Sequence, residues 1–190
     1  MVRGRVYRRA DLAQWSKSVD RHLDELVADG TLKKLSHGLY YYPKKTIFGE
    51  APPDEVELVK SFLKDAHFLL TSPNSYNSLG VGTTQLYNTR VVYNHKRHGD
   101  FKFGNRVFRF QQKQRFPQKP TTEFLLVDLV NNLDELAEDK VAIMKRVFSK
   151  ALELDSRKLR KSVADYGNVK TKKLLMPVLN SAAGNRTNAR

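Results

Sequence analysis

Residues 9–43, RRADLAQWSKSVDRHLDELVADGTLKKLSHGLYYYP, constrain this chain more than any other stretch. Ala10-Asp11-Leu12-Ala13-Gln14-Trp15 reads as a short helix with Leu12 and Trp15 on one face. Ser16-Lys17-Ser18 follows, and either serine is placed to cap the next helix by accepting a bond from its free N–H groups. Val19, Leu23, Leu26 and Val27 then recur at the spacing of one helical face. Asp20, Arg21, Asp24 and Glu25 fall largely on the others. Asp29-Gly30 supplies the stop, because glycine accepts the left-handed backbone just past a helix. Residues 31–35 read as a strand, Ser36-His37-Gly38 as a turn and Leu39-Tyr40-Tyr41-Tyr42 as the returning strand. Pro43 ends the pairing because it has no N–H to donate. Helix, turn, helix and hairpin in this order predict a winged helix-turn-helix over residues 1–46.

In that fold the first turns of the second helix enter the major groove. Lys17, Ser18 and Arg21 are therefore the candidates for base edges or nearby phosphates. The arginine fork matches the O6 and N7 acceptors of guanine. Lys33, Lys34 and His37 lie on the wing, placed for phosphates or the minor groove, and Arg3, Arg5, Arg8 and Arg9 form a basic arm. Taken singly, each is an ordinary solvated charge. Taken together beside a helix-turn-wing pattern, they favour double-stranded DNA. Asp20, Asp24 and Glu25 would repel phosphates, so they are expected to point away or to pair with Arg21 and Lys17.

The charge distribution supports a polyanionic partner. The chain carries a formal net charge of +14, and each neutralised phosphate releases counterions. Residues 1–45 hold ten Lys/Arg against five Asp/Glu, and residues 86–120 hold nine against one. Residues 46–85 reverse the sign, with two against five. Cysteine is absent, which removes disulfides, thiolate metal sites and cysteine nucleophiles. MVRGRVYRRADL lacks the apolar core of a signal peptide, and no apolar run reaches membrane-spanning length. The expectation is a soluble cytoplasmic protein with no membrane partner.

The segment from Val19 to Pro43 resembles the AbiEi family of antitoxins from type IV toxin–antitoxin systems. The resemblance is carried by Ser18-Val19-Asp20-Arg21 with Leu23 and Leu26, by Asp29-Gly30-Thr31-Leu32, and by His37-Gly38-Leu39-Tyr40. It implies a winged helix that binds inverted repeats in its own promoter and represses the operon. It also implies a C-terminal domain that counters a nucleotidyltransferase-type toxin. One departure is that the family carries a helix ahead of the segment matching Val6-Tyr7, where five residues stand here.

Ala51-Pro52-Pro53 marks the expected boundary to an α/β domain over 50–179 with a helical C-terminal end, giving a mixed α+β fold. Residues 54–64 place Val56, Val59, Phe62 and Leu63 at helical spacing. Phe68-Leu69-Leu70 reads as a buried strand, and residues 71–77 as the polar start of a short helix. Strands are expected at 89–94 and 106–111. Between them, basic residues alternate with aromatics in HKRHGDFKF, a composition suited to phosphates and stacked bases. Helices are expected over 121–132, 134–154, from 157, and over 169–179, with a flexible tail at 180–190. Arg90, Lys96, Arg97, Lys102, Arg106 and Arg109, with Arg157, Lys158, Arg160 and Lys161, make a candidate second nucleic-acid or partner face.

No Ser-His-Asp order, paired carboxylates, phosphate loop or metal-ligand spacing stands out, so the reading is a non-enzyme without cofactors. The leading expectation is a DNA-binding antitoxin and autorepressor. The alternatives are an RNA- or structured-nucleic-acid-binding protein using the basic hairpin of 95–115, and a metal-dependent nuclease using His95, His98 and Asp100.

Overall fold

A computed structural model describes residues 1–187, with side chains through Ser181. It is a mixed α+β fold that divides into two compact units, Met1–Leu70 with Val91–Gln112, and Thr71–Arg90 with Lys113–Arg190. The boundary expected at 46–50 therefore falls inside the first unit.

The first unit opens with β1 (Val6–Arg8), α1 (Arg9–Leu12), a 3-10 turn at Ala13–Trp15 and α2 (Val19–Ala28). The hairpin β2 (Lys33–Ser36) and β3 (Leu39–Tyr41) follows, and the three strands pair antiparallel in the order β1-β3-β2. This is the pairing of a winged helix-turn-helix, with β1 as a strand that periodicity over three residues does not reveal. The period-2 alternation of β3 sends its side chains to two cores. Tyr40 joins Leu12, Val19, Leu23 and Leu32 beneath α2. Leu39 and Tyr41 join Val6, Leu35, Leu58, Val59, Phe108 and Phe110 on the opposite face. That second core is why the wing does not separate from the residues after it.

Two local expectations are corrected. Trp15 does not pack beside Leu12 but stands 65% exposed, because the 3-10 turn rotates it off the α1 face. Ser18 occupies the N-cap of α2 without a side-chain capping bond. Instead the Ser16 hydroxyl accepts from the Ser18 N–H at 3.1 Å and meets His22 Nδ1 at 2.9 Å.

A second hairpin follows the wing, β4 (Lys44–Thr46) and β5 (Gly49–Ala51). Next comes α3 (Glu55–Leu63), capped by the Asp54 carboxylate accepting from the Glu57 N–H at 2.8 Å. Of the expected stripe Val59 and Leu63 are buried and Phe62 packs against the core, while Val56 is exposed and Leu58 is buried in addition. The unit is completed by a four-stranded sheet, β6 (Leu69–Thr71), β7 (Arg90–Asn94), β8 (Gly99–Phe103) and β9 (Arg106–Gln112), in the order β6-β7-β9-β8. β8 and β9 form a hairpin within residues 95–115, where one was expected, though one face of β8 is turned away from solvent. Its alternation turns Phe101 and Phe103 inward and Asp100 and Lys102 outward.

In the second unit a 3-10 segment at Pro73–Leu79 is capped by Ser72. It precedes four helices, α4 (Thr122–Asn132), α5 (Lys140–Glu153), α6 (Ser156–Tyr166) and α7 (Val169–Thr187). Residues Phe124 to Val130 of α4 are all buried, making it the central helix of the unit. Ile143, Val147, Leu159, Val163, Leu175 and Leu179 supply the facing side chains. α5 starts six residues later than expected, where Asp139 accepts from the Val141 and Ala142 N–H groups. The segment expected as a tail is helical through Thr187, since no proline after Pro177 removes a backbone donor. Residues 188–190 lie outside the described ones.

Candidate nucleic-acid interface

The register of the wing sheet defines two ends. At one end Arg8 and Ser36 both stand opposite Leu39. There the Arg9 N–H donates to the Gly38 carbonyl at 2.9 Å. The Arg9 guanidinium reaches the other way, with Nε and Nη2 each 2.5 Å from a carboxylate oxygen of Asp20 in the first turn of α2. Arg9 thus ties the turn between β2 and β3 to the start of α2. Its guanidinium holds the Asp20 carboxyl below the usual carboxylate range, with a smaller contribution from nearby His37. Lys17, Ser18 and His37 are exposed around this junction. So is Trp15.

The remaining predicted cations of the arm and wing are mostly compensated. Arg8 chelates Asp11 and lowers its pKa, chiefly through the side-chain hydrogen bond. Arg5 pairs with Glu57 at 2.9 Å, Arg21 with Glu25 at 3.6 Å, and Lys33 with Glu50. Asp20 and Glu25 are therefore partnered as expected of acids on this helix, with Arg9 rather than Lys17 taking Asp20. Arg3 lies with its guanidinium carbon 5.5 Å from the Tyr42 ring centroid. Lys34 is exposed on β2. Beyond its first turn α2 presents Asp24, Glu25 and Asp29 to solvent, so only its N-terminal end suits a phosphate backbone.

Four of the candidates in the region 90–109, Lys96, Arg97, Arg106 and Arg109, make contacts within the first unit. Lys96 donates to the carbonyls of Leu63 at 3.4 Å and Lys64 at 3.2 Å, closing the C-terminus of α3, and pairs with Asp65 at 3.1 Å. Arg97 lies 5.3 Å from the Phe62 ring centroid. Arg106 pairs with Glu55 at 3.0 Å and Arg109 with Asp100 at 3.1 Å. Lys102 is exposed on β8. The aromatics read as base-stacking instead form a core cluster, in which Phe62 meets Phe101, Phe103 and Phe110 at centroid distances of 4.9, 4.8 and 5.2 Å. His95 stacks on His67 at 5.0 Å and hydrogen-bonds it at 3.1 Å. Among the described residues no three His, Asp or Glu side chains converge as a metal-binding group.

Arg90 belongs to the second unit with Arg157, Lys158, Arg160 and Lys161. Arg157, Lys158 and Lys161 are exposed on α6. Arg160 instead binds the Asn180 side chain at 2.6 Å and the Leu179 carbonyl. No described helix is long and apolar enough to cross a membrane.

The sequence reading passed over the hairpin β4–β5. Its tip is Ile47-Phe48, 93% and 94% exposed, behind Lys44 and Lys45. The available signal was Gly49, whose φ of 104° closes a two-residue turn. Neither the models of known protein families nor the curated proteins match this chain.

Proposed function

We propose that the protein binds duplex DNA through the N-terminal end of α2 and the wing turn, and acts by binding rather than by catalysis. The observation that carries this reading is the Arg9 bridge, which fixes the wing turn and the first turn of α2 as one surface with Lys17, Ser18 and His37 exposed around it. In a winged helix these two elements meet the major and minor grooves. The acidic residues farther along α2 confine the contact to its first turn. The excess of basic residues in the whole chain favours phosphates as the partner. The narrower role of autorepressor and antitoxin against a nucleotidyltransferase-type toxin, in the cytoplasm, rests on the resemblance carried by residues 18–43.

The test is binding of the full chain to its own upstream DNA and to a scrambled duplex across a salt series, with a Lys17→Ala/Arg21→Ala variant alongside. Selective binding that the variant loses supports the reading. Equal, steeply salt-dependent binding to both duplexes, unchanged in the variant, would remove it and leave charge alone.

A further inference from the structure

The hairpin β4–β5 holds two large apolar side chains in water. The register pairs Lys44 with Ala51, Lys45 with Glu50 and Thr46 with Gly49, leaving Ile47-Phe48 as the turn. The turn is firmly bonded: the Thr46 hydroxyl donates to the Gly49 carbonyl at 2.7 Å and accepts from the Phe48 N–H at 3.3 Å. The base is anchored too, by the Tyr41 hydroxyl donating to the Ala51 carbonyl at 2.7 Å and by the Lys33–Glu50 ion pair. Such turns favour Gly, Asn, Asp and Pro at their centre. An isoleucine and a phenylalanine there, each more than nine-tenths exposed, serve neither the turn nor a core within the unit.

The surrounding charge identifies a partner. Lys44 and Lys45 are successive residues of one strand, so they lie on opposite faces of the ribbon. They stand two to three residues behind the tip, roughly 7–10 Å at strand rise. A duplex groove is about 7.5–8.5 Å deep and is walled on both sides by phosphates. A ribbon inserted tip-first would set one lysine against each wall as the apolar tip meets the bases. Apolar wedges between base steps bend DNA in this way.

We propose that β4–β5 is a second nucleic-acid contact, in which Ile47 and Phe48 wedge into the base stack of a duplex and Lys44 and Lys45 hold the flanking phosphates. It is separate from the α2 contact. The register places β4 beyond Tyr41 and Tyr42, at the end of β3 opposite the Gly38 turn. The two surfaces therefore fail or succeed independently.

The experiment uses the full chain with end-labelled duplexes carrying 2-aminopurine at scanned positions. Proteins compared are the wild type, Ile47→Ser/Phe48→Ser, Lys44→Gln/Lys45→Gln, and Lys17→Ala/Arg21→Ala. Vesicles of anionic phospholipid and the oligomeric state are measured in parallel. Expected for the wild type is a 2-aminopurine fluorescence rise with shortened end-to-end distance. The serine variant should lose both and bind about tenfold more weakly. The glutamine variant should bind less tightly with a shallower salt dependence, and the Lys17/Arg21 variant should still give the fluorescence rise once its concentration is raised to restore occupancy. A wild type that binds duplex without unstacking it overturns the wedge and leaves the α2 reading intact. So does a serine variant indistinguishable from wild type on DNA, whether or not it loses vesicle binding or self-association. A wild type that binds no duplex overturns both.

Discussion

Arg9 grips Asp20 with Nε and Nη2, each 2.5 Å from a carboxylate oxygen, while its own backbone N–H donates to the carbonyl of Gly38. One residue thus bonds both the β2–β3 turn and α2. Arg9→Ala should speed amide exchange in the first turn of α2 and around Gly38, leaving the rest of the unit protected. The same loosening should appear on acidification. The folded-state pKa of Asp20 is depressed, so its stabilising contribution is complete above the ordinary aspartate value of about 3.9 and is lost as pH falls through the lowered one. Exchange measured at neutral pH and near pH 2 checks this. Arg9→Ala should make the local acid response disappear, and an unchanged response in the variant would detach it from this pair.

A second bridge orders the other unit. The Asn131 carboxamide donates to the Tyr166 carbonyl at 2.9 Å and accepts from the Asn168 N–H at 2.9 Å and the Thr171 hydroxyl at 2.8 Å. α4 thereby holds the junction of α6 and α7. Thr171 is 0% exposed, so Asn131→Ala strands a buried hydroxyl and should cost about 1–3 kcal/mol. Denaturant unfolding checks the magnitude. Asn131→Asp should restore the bonds to the acceptor oxygen but not the one to Tyr166, and should fall between the two.

Gly49 carries a prediction of a different kind. A Cβ built there meets nothing within 4 Å, yet φ is +104°. Gly49→Ala should therefore strain the backbone without a clash, by roughly 1–2 kcal/mol. That strain is confined to β4–β5, so exchange at Thr46 and Phe48 should rise while the thermal midpoint of the chain barely moves. A large midpoint shift would mean that the hairpin folds as part of the surrounding core.

These contrasts show what the sequence makes legible. α2 could be read because its apolar positions recur at helical spacing, and α4 because its apolar run from Phe124 to Val130 stops at Asn131-Asn132. The wing hairpin could be read because Gly38 and Pro43 punctuate it. The hairpin of β8 and β9 was legible but its packed face was not: Asp100 and Lys102 suggested a solvated ribbon, while the alternation with Phe101 and Phe103 was the signal of an inward face. The β4–β5 hairpin was concealed because Ile47-Phe48 carries no turn chemistry. The division into units escaped because Leu35, Leu39 and Tyr41 share a core with Phe108 and Phe110, a pairing across some seventy residues that no local pattern encodes. Ion pairs such as Arg8–Asp11 and Lys33–Glu50 were equally hidden, and they decide which cations stay available.

Asp128 is 1% exposed on α4. It accepts from the Tyr76 hydroxyl at 2.8 Å and lies 3.5 Å from Lys113 Nζ, and the Asn132 amide in turn donates to that hydroxyl at 3.1 Å. The Tyr76 hydroxyl is donor to one helix residue and acceptor from another one turn away. Tyr76→Phe removes these bonds at a buried site and should cost about 1–3 kcal/mol. Asp128→Ala should cost more than Tyr76→Phe, because it removes both the acceptor of the Tyr76 hydroxyl and the carboxylate 3.5 Å from Lys113 Nζ. Tyr87→Phe is the control. Its hydroxyl accepts from the Ala137 N–H at 3.0 Å where water can replace it, so its loss should be smaller than that of Tyr76→Phe. Urea unfolding of the three variants gives the order. Equal effects at Tyr76 and Tyr87 would show that burial does not set the strength of these bonds.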